Sequence, residues 1–129
     1  MIFIEQIYTW GYKQMSAYHE SVDKLDEKTL NTSRALNSLK EEIEAVDWYN
    51  QRIDVSADQE LKNIMAHNRD EEIEHACMLI EWLRRNMDKW DDELRTYLFT
   101  DGPITELEDL ATGDGEAKKD SSLNIGDLK

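Results

Sequence analysis

The sequence has one cysteine, one proline and five glycines in 129 residues. A lone Cys77 cannot close an internal disulfide, which excludes a cross-linked scaffold and predicts an intracellular protein with Cys77 as a buried, inert thiol. Pro103 and four of the five glycines lie at or after Gly102, so little before that point interrupts a helix. Strand-like alternation is missing too, and the expected fold is all-α. Positive charge is scarce: 15 Lys and Arg against 29 Asp and Glu give a net charge of −14. Such a surface repels phosphate backbones and attracts cations, which argues against a nucleic-acid partner. The N-terminal apolar run MIFIEQIYTW is broken by Glu5, has no basic leader and falls far short of the ~20 residues that cross a bilayer, so neither an export signal nor a membrane partner is expected.

What is present is helical patterning. Asp26 is a plausible N-cap for a long helix reaching about Ile53, with Leu36, Leu39, Ile43, Val46 and Ile53 spaced by threes, fours and their sum. A break follows at VSADQE, where Ser56 and Gln59 have capping-box spacing. The second helix is predicted to reach about Asn86, on a stripe of Leu61, Ile64, Met65, Asn68, Glu72, His75, Leu79 and Trp82. A shorter third helix around Trp90, Leu94, Tyr97 and Leu98 should stop near Asp101, Gly102 and Pro103. The expected architecture is an antiparallel two-helix hairpin plus this third helix, dimerising into a four-helix bundle. Residues 1–16 read as an N-terminal extension, 17–101 as the helical domain, 102–121 as a flexible linker and 122–129 as an apolar tail carrying Leu123, Ile125 and Leu128. That tail is either disordered or a docking peptide for a groove on a partner.

Glu72 and His75 fall in the stripe the second helix should bury, and Glu42 lies within about 60° of the first helix's stripe, whereas Glu41 and Glu44 point largely away. Buried carboxylates need compensation, and neither stripe carries a Lys or Arg. A metal cation would supply it: Glu and His three residues apart offer an oxygen and a nitrogen to one point. Glu-x-x-His with a Glu from a second helix is half of a carboxylate di-iron centre, and a homodimer would provide the other half. The bland alternative is a solvated Glu-x-x-His with no function. His19 and His67 have no comparable setting and read as surface residues, and Glu41 and Glu44 as a solvated acidic face or a gathering point for cations. Trp48 and Tyr49 are either packing aromatics or neighbours of the metal, as electron donor or channel wall.

The segments EEIEAVDWYNQR, HNRDEEIEHACMLIEWLRR and DELRTYLF, within Leu36 to Phe99, resemble the encapsulated ferritins, the iron-oxidising cargo proteins of encapsulin shells. The terminal SLNIGDLK is similar to their encapsulation peptides. The resemblance implies a ferritin-like fold and a ferroxidase centre of Glu42, Glu72 and His75 formed where two chains meet, with dimers assembled into a decameric ring. It further implies a secondary site at Glu41 and Glu44, close to Trp48, for calcium or another divalent cation, and residence in the cytoplasm inside an encapsulin compartment. The activity expected is oxidation of Fe(II) by dioxygen, with Fe(III) released for mineralisation in the shell. Carboxylates favour the harder Fe(III), and one His per iron leaves positions open for oxygen. The rivals are a rubrerythrin-like or hemerythrin-like di-iron protein, which would carry a fuller ligand set in one chain, and a metal-free helical adaptor whose inward Glu and His set pairing register.

Overall fold

The computed structural model describes residues 18–112, and all regular structure among them is helical. A 3-10 turn at Val22–Lys24 precedes α1 (Glu27–Val55) and α2 (Gln59–Asn86); then come α3 (Asp88–Tyr97), a 3-10 turn at Ile104–Glu106 and α4 (Leu107–Ala111). The expected all-α fold is thus observed. The N-terminal extension and the apolar tail lie outside the described residues.

α1 starts where its sequence predicts. Asp26 is extended, and its carboxylate accepts from the Thr29 N–H at 2.7 Å, which satisfies one of the free donors of the first turn. The opening of α2 differs from the capping box expected from Ser56 and Gln59. Ser56 closes α1 instead, its N–H donating to the Arg52 carbonyl, and Gln59 turns to Asn63. Asp58 takes the cap: its carboxylate accepts from the Leu61 N–H at 2.8 Å and its carbonyl from the Lys62 N–H. A carboxylate there also meets the positive end of the helix dipole, which a serine hydroxyl cannot match.

The short connection through Ser56, Ala57 and Asp58 turns the chain back on itself. Arg69 reaches Asn50 near the connection and His75 reaches Glu42 further out, so α1 and α2 run antiparallel. Among the described residues the buried positions on this hairpin are few: Ala35 and Leu39 on α1, Ala76 and Leu83 on α2, of which Leu83 alone is fully enclosed. In the antiparallel register Ala35 falls near the level of Leu83, so a small side chain there opposes a large one.

The apolar stripes are wider than this seam. Leu36 and Ile43 on α1 remain 40% and 56% exposed, and Leu61, Ile64 and Trp82 on α2 are also exposed. Two helices cover only a narrow line on each other, whereas a stripe of about 100° needs more than one neighbour.

Among the described residues, those from Arg84 onward form a second compact unit. Asp91 accepts from Arg84 and from Arg95, which hold its carboxyl below the usual range, and Lys89 pairs with Glu93. α3 ends at Tyr97 and is capped by Leu98, after which Phe99 turns into the left-handed region at φ 58°. The 3-10 turn and α4 fall in the 102–121 stretch read as linker; α4 is too short to have left a periodic signal.

Candidate metal centre

Glu72 and His75 stand one turn apart on α2, and the antiparallel register brings Glu42 of α1 to the same level. His75 Nδ1 lies 3.2 Å from Glu72 Oε2 and 3.7 Å from Glu42 Oε2. One ligating atom from each of the three lies within 4.8 Å of the others. Both carboxylate side chains are 25% exposed, and the imidazole is 46% exposed. The three groups therefore form a shallow site open on one flank of the hairpin.

Their electrostatics record the crowding. The hydrogen bond to Glu72, with burial behind it, raises Glu42 above the ordinary glutamate value. Glu72, on the accepting side of that bond and next to the imidazole, is lowered. The bond to Glu72 and the nearby carboxylates raise His75. Crowding two carboxylates together thus makes a positive charge between them favourable. Metal–ligand bonds of about 2.0–2.4 Å place donors on one ion at most roughly 4.8 Å apart, so the spacing of two oxygens and one nitrogen fits a divalent cation.

Glu41 and Glu44 are exposed on the far side of α1 and do not join the three. Trp48 is half-exposed and, with Gln51 and Arg52, lines an open cavity of about 360 Å³. Tyr49 is half-buried beneath the Arg52 guanidinium, 5.5 Å from its ring centre. His67 is exposed and pairs with Glu71 at 3.0 Å, and His19 is exposed, both in line with their reading as surface residues. Cys77 corrects an expectation: its thiol is exposed, because two residues place it roughly 200° around α2 from His75 and away from α1. Leu123, Ile125 and Leu128 lie outside the described residues. The sequence reading missed the link from Arg69 to Asn50, since its only advance sign was a basic residue beside the stripe.

A helical hairpin with a carboxylate–imidazole cluster between its helices defines a ferritin-like arrangement. The chain matches the EncFtn-like family over residues 17–101 and belongs to it. It is 55% identical over 121 residues to an encapsulated ferritin-like protein of Rhodospirillum rubrum, covering 86% of each chain. A ferritin-like protein of Thermotoga maritima is 61% identical over 99 residues, covering 77% of this chain and 87% of the relative. Among solved structures, protein ne0167 of Nitrosomonas europaea superposes with a TM-score of 0.66 at 55% identity, over 67% of this chain and 96% of that one. The protein is accordingly an iron-related member of the encapsulated ferritin-like group.

Proposed function

We propose that the protein is a ferroxidase, with Fe(II) as substrate and dioxygen as oxidant, acting at a di-iron centre shared by two copies of the chain. The observation that carries this reading is the convergence of Glu42, Glu72 and His75. One hairpin offers a single Glu-x-x-His and one further Glu, which is half of what two irons need. The open flank of the site supports completion by a second copy: Leu61, Ile64 and Trp82 are exposed on the same side of α2 as His75.

Fe(II) competes with protons at these groups: Glu42, raised by Glu72, and His75, raised by the carboxylates beside it, must be deprotonated to serve as ligands, so metal affinity falls as pH is lowered. The carboxylates then stabilise the higher charge of Fe(III) as two Fe(II) ions give one electron each to dioxygen, which takes up two protons and leaves as hydrogen peroxide. Exposed Glu41 and Glu44, with Trp48 and Tyr49 nearby, gather and pass cations, calcium or another divalent ion among them. The tail with Leu123, Ile125 and Leu128 docks the assembly, a decameric ring of dimers, inside an encapsulin shell in the cytoplasm, where Fe(III) is mineralised.

The test is oxidation of anaerobically loaded Fe(II) on admission of oxygen, followed by Fe(III) absorbance. Glu72→Ala and His75→Ala should each slow the rate at least roughly tenfold while the helical circular dichroism is kept, because each removes a donor but no core residue. Parental rates in both variants would remove the ligand assignment.

A further inference from the structure

Away from the centre, a polar link joins the two helices. Arg69 Nη1 donates to Asn50 Oδ1 at 3.2 Å. The same guanidinium is held by its neighbour, Nε and Nη2 donating to Asp70 Oδ1 at 3.0 and 2.8 Å. Asp70 thereby fixes the plane of the fork before its remaining arm crosses to α1.

The location of the link matters. Asn50 follows Glu42 by about two turns and Arg69 precedes Glu72 by about one, so the link stands between the connection and the centre. Asn50 continues the line of Leu36 and Ile43, roughly 80° around α1 from Glu42, on the flank opposite the open side of the site. The connection at Ser56–Ala57–Asp58 fixes how far one helix slides along the other, but it leaves each free to roll about its own axis. A roll of roughly 20° moves a carboxylate about 6 Å from the axis by about 2 Å. Ligand distances around a metal tolerate only about 0.2 Å. The buried seam resists the roll only along its own narrow line, and a second fixed point on one flank adds a constraint off that line.

We propose that Asn50 and Arg69, the latter oriented by Asp70, are positioning residues that fix the roll of α1 against α2 and so bring Glu42 to Glu72 and His75. The proposal rests on the reading of those three as metal ligands. Its test uses Co(II) added anaerobically to the full-length assembled protein, since the visible bands of Co(II) report ligand geometry and its titration reports affinity. Asn50→Leu should weaken Co(II) binding about threefold to tenfold and alter the band intensities, with helical content and sedimentation unchanged. Asn50→Asp, which keeps an acceptor oxygen, should restore the parental spectrum. Arg69→Lys, a cation without a fork to span Asp70 and Asn50, should behave like Asn50→Leu. Parental affinity and spectrum in Asn50→Leu would overturn the proposal, as would equal damage in Asn50→Leu and Asn50→Asp accompanied by loss of helix. Failure of the parental protein itself to bind Co(II), with Glu72→Ala no different, would instead overturn the ligand reading.

Discussion

At the scale of single residues, carboxylates in this chain titrate in opposite directions for identifiable reasons. The backbone N–H of Thr29 holds Asp26 below its ordinary value, whereas Glu42 is raised because it faces Glu72. A depressed folded pKa means that Asp26 contributes stability above its unfolded value, and that this contribution is lost as pH falls through its folded value. Asp26→Asn should therefore melt a few degrees below the parental protein at neutral pH, and the gap should narrow as acid protonates the parental Asp26. A gap that stays constant into strong acid would show that the charge of the cap contributes nothing. The grouping of Glu42, Glu72 and His75 was legible at this scale because helical period sets them beside the two stripes and puts Glu41 and Glu44 on the far side of α1, although in one copy the three are only partly covered and the imidazole stays half-exposed. Cys77 was misread because the usual burial of cysteine was followed in place of the same period. Asn50 and Arg69 were not legible at all, since their meeting depends on the length of the connection, which fixes the register of the two helices.

At the scale of elements, helix beginnings turn on which side chain reaches the first free N–H. Asp26 and Asp58 do this in the same way, each accepting three residues ahead. The Ser56 and Gln59 pattern misplaced the start of α2 because Ser56 had already been taken by the end of α1. Asp58→Ala should consequently lower the melting temperature by several degrees, in keeping with the loss of an N-cap, while Ser56→Ala should leave it almost unchanged. Thermal unfolding followed at 222 nm checks both, and the reverse order would return the cap to Ser56. The lengths of α1, α2 and α3 were readable because each carries an apolar face long enough to show its period. α4 was not, because five residues make little more than one turn and its neighbours read as linker.

At the scale of the whole molecule, a net charge of −14 and a hairpin core of four buried side chains among the described residues leave a single copy short of both cohesion and apolar burial. The exposed apolar residues divide by flank. Leu61, Ile64 and Trp82 accompany His75 on the open side of the centre, while Leu36, Ile43 and Ile73 accompany the Asn50–Arg69 link on the other. The antiparallel register sets Ile43 level with Ile73, so these two form one patch across both helices. In the proposed assembly, a dimer that completes the centre would cover the first flank only, and a ring of dimers would need a second joint, for which this patch is suited by position and chemistry. Two sets of charge insertions distinguish the joints. Ile64→Lys buries a charge beside the centre if the first flank is the dimer surface, so it should yield smaller species on sedimentation together with loss of Fe(II) oxidation. Ile43→Lys combined with Ile73→Lys should dissolve the proposed ring into dimers that still oxidise Fe(II), because both residues, although next to Glu42 and Glu72 in sequence, are turned about 100° from them toward the flank opposite the open side. A folded, fully active monomer from Ile64→Lys would end the shared-centre reading, and an intact ring in the Ile43 and Ile73 double variant would move the second joint elsewhere on the molecule.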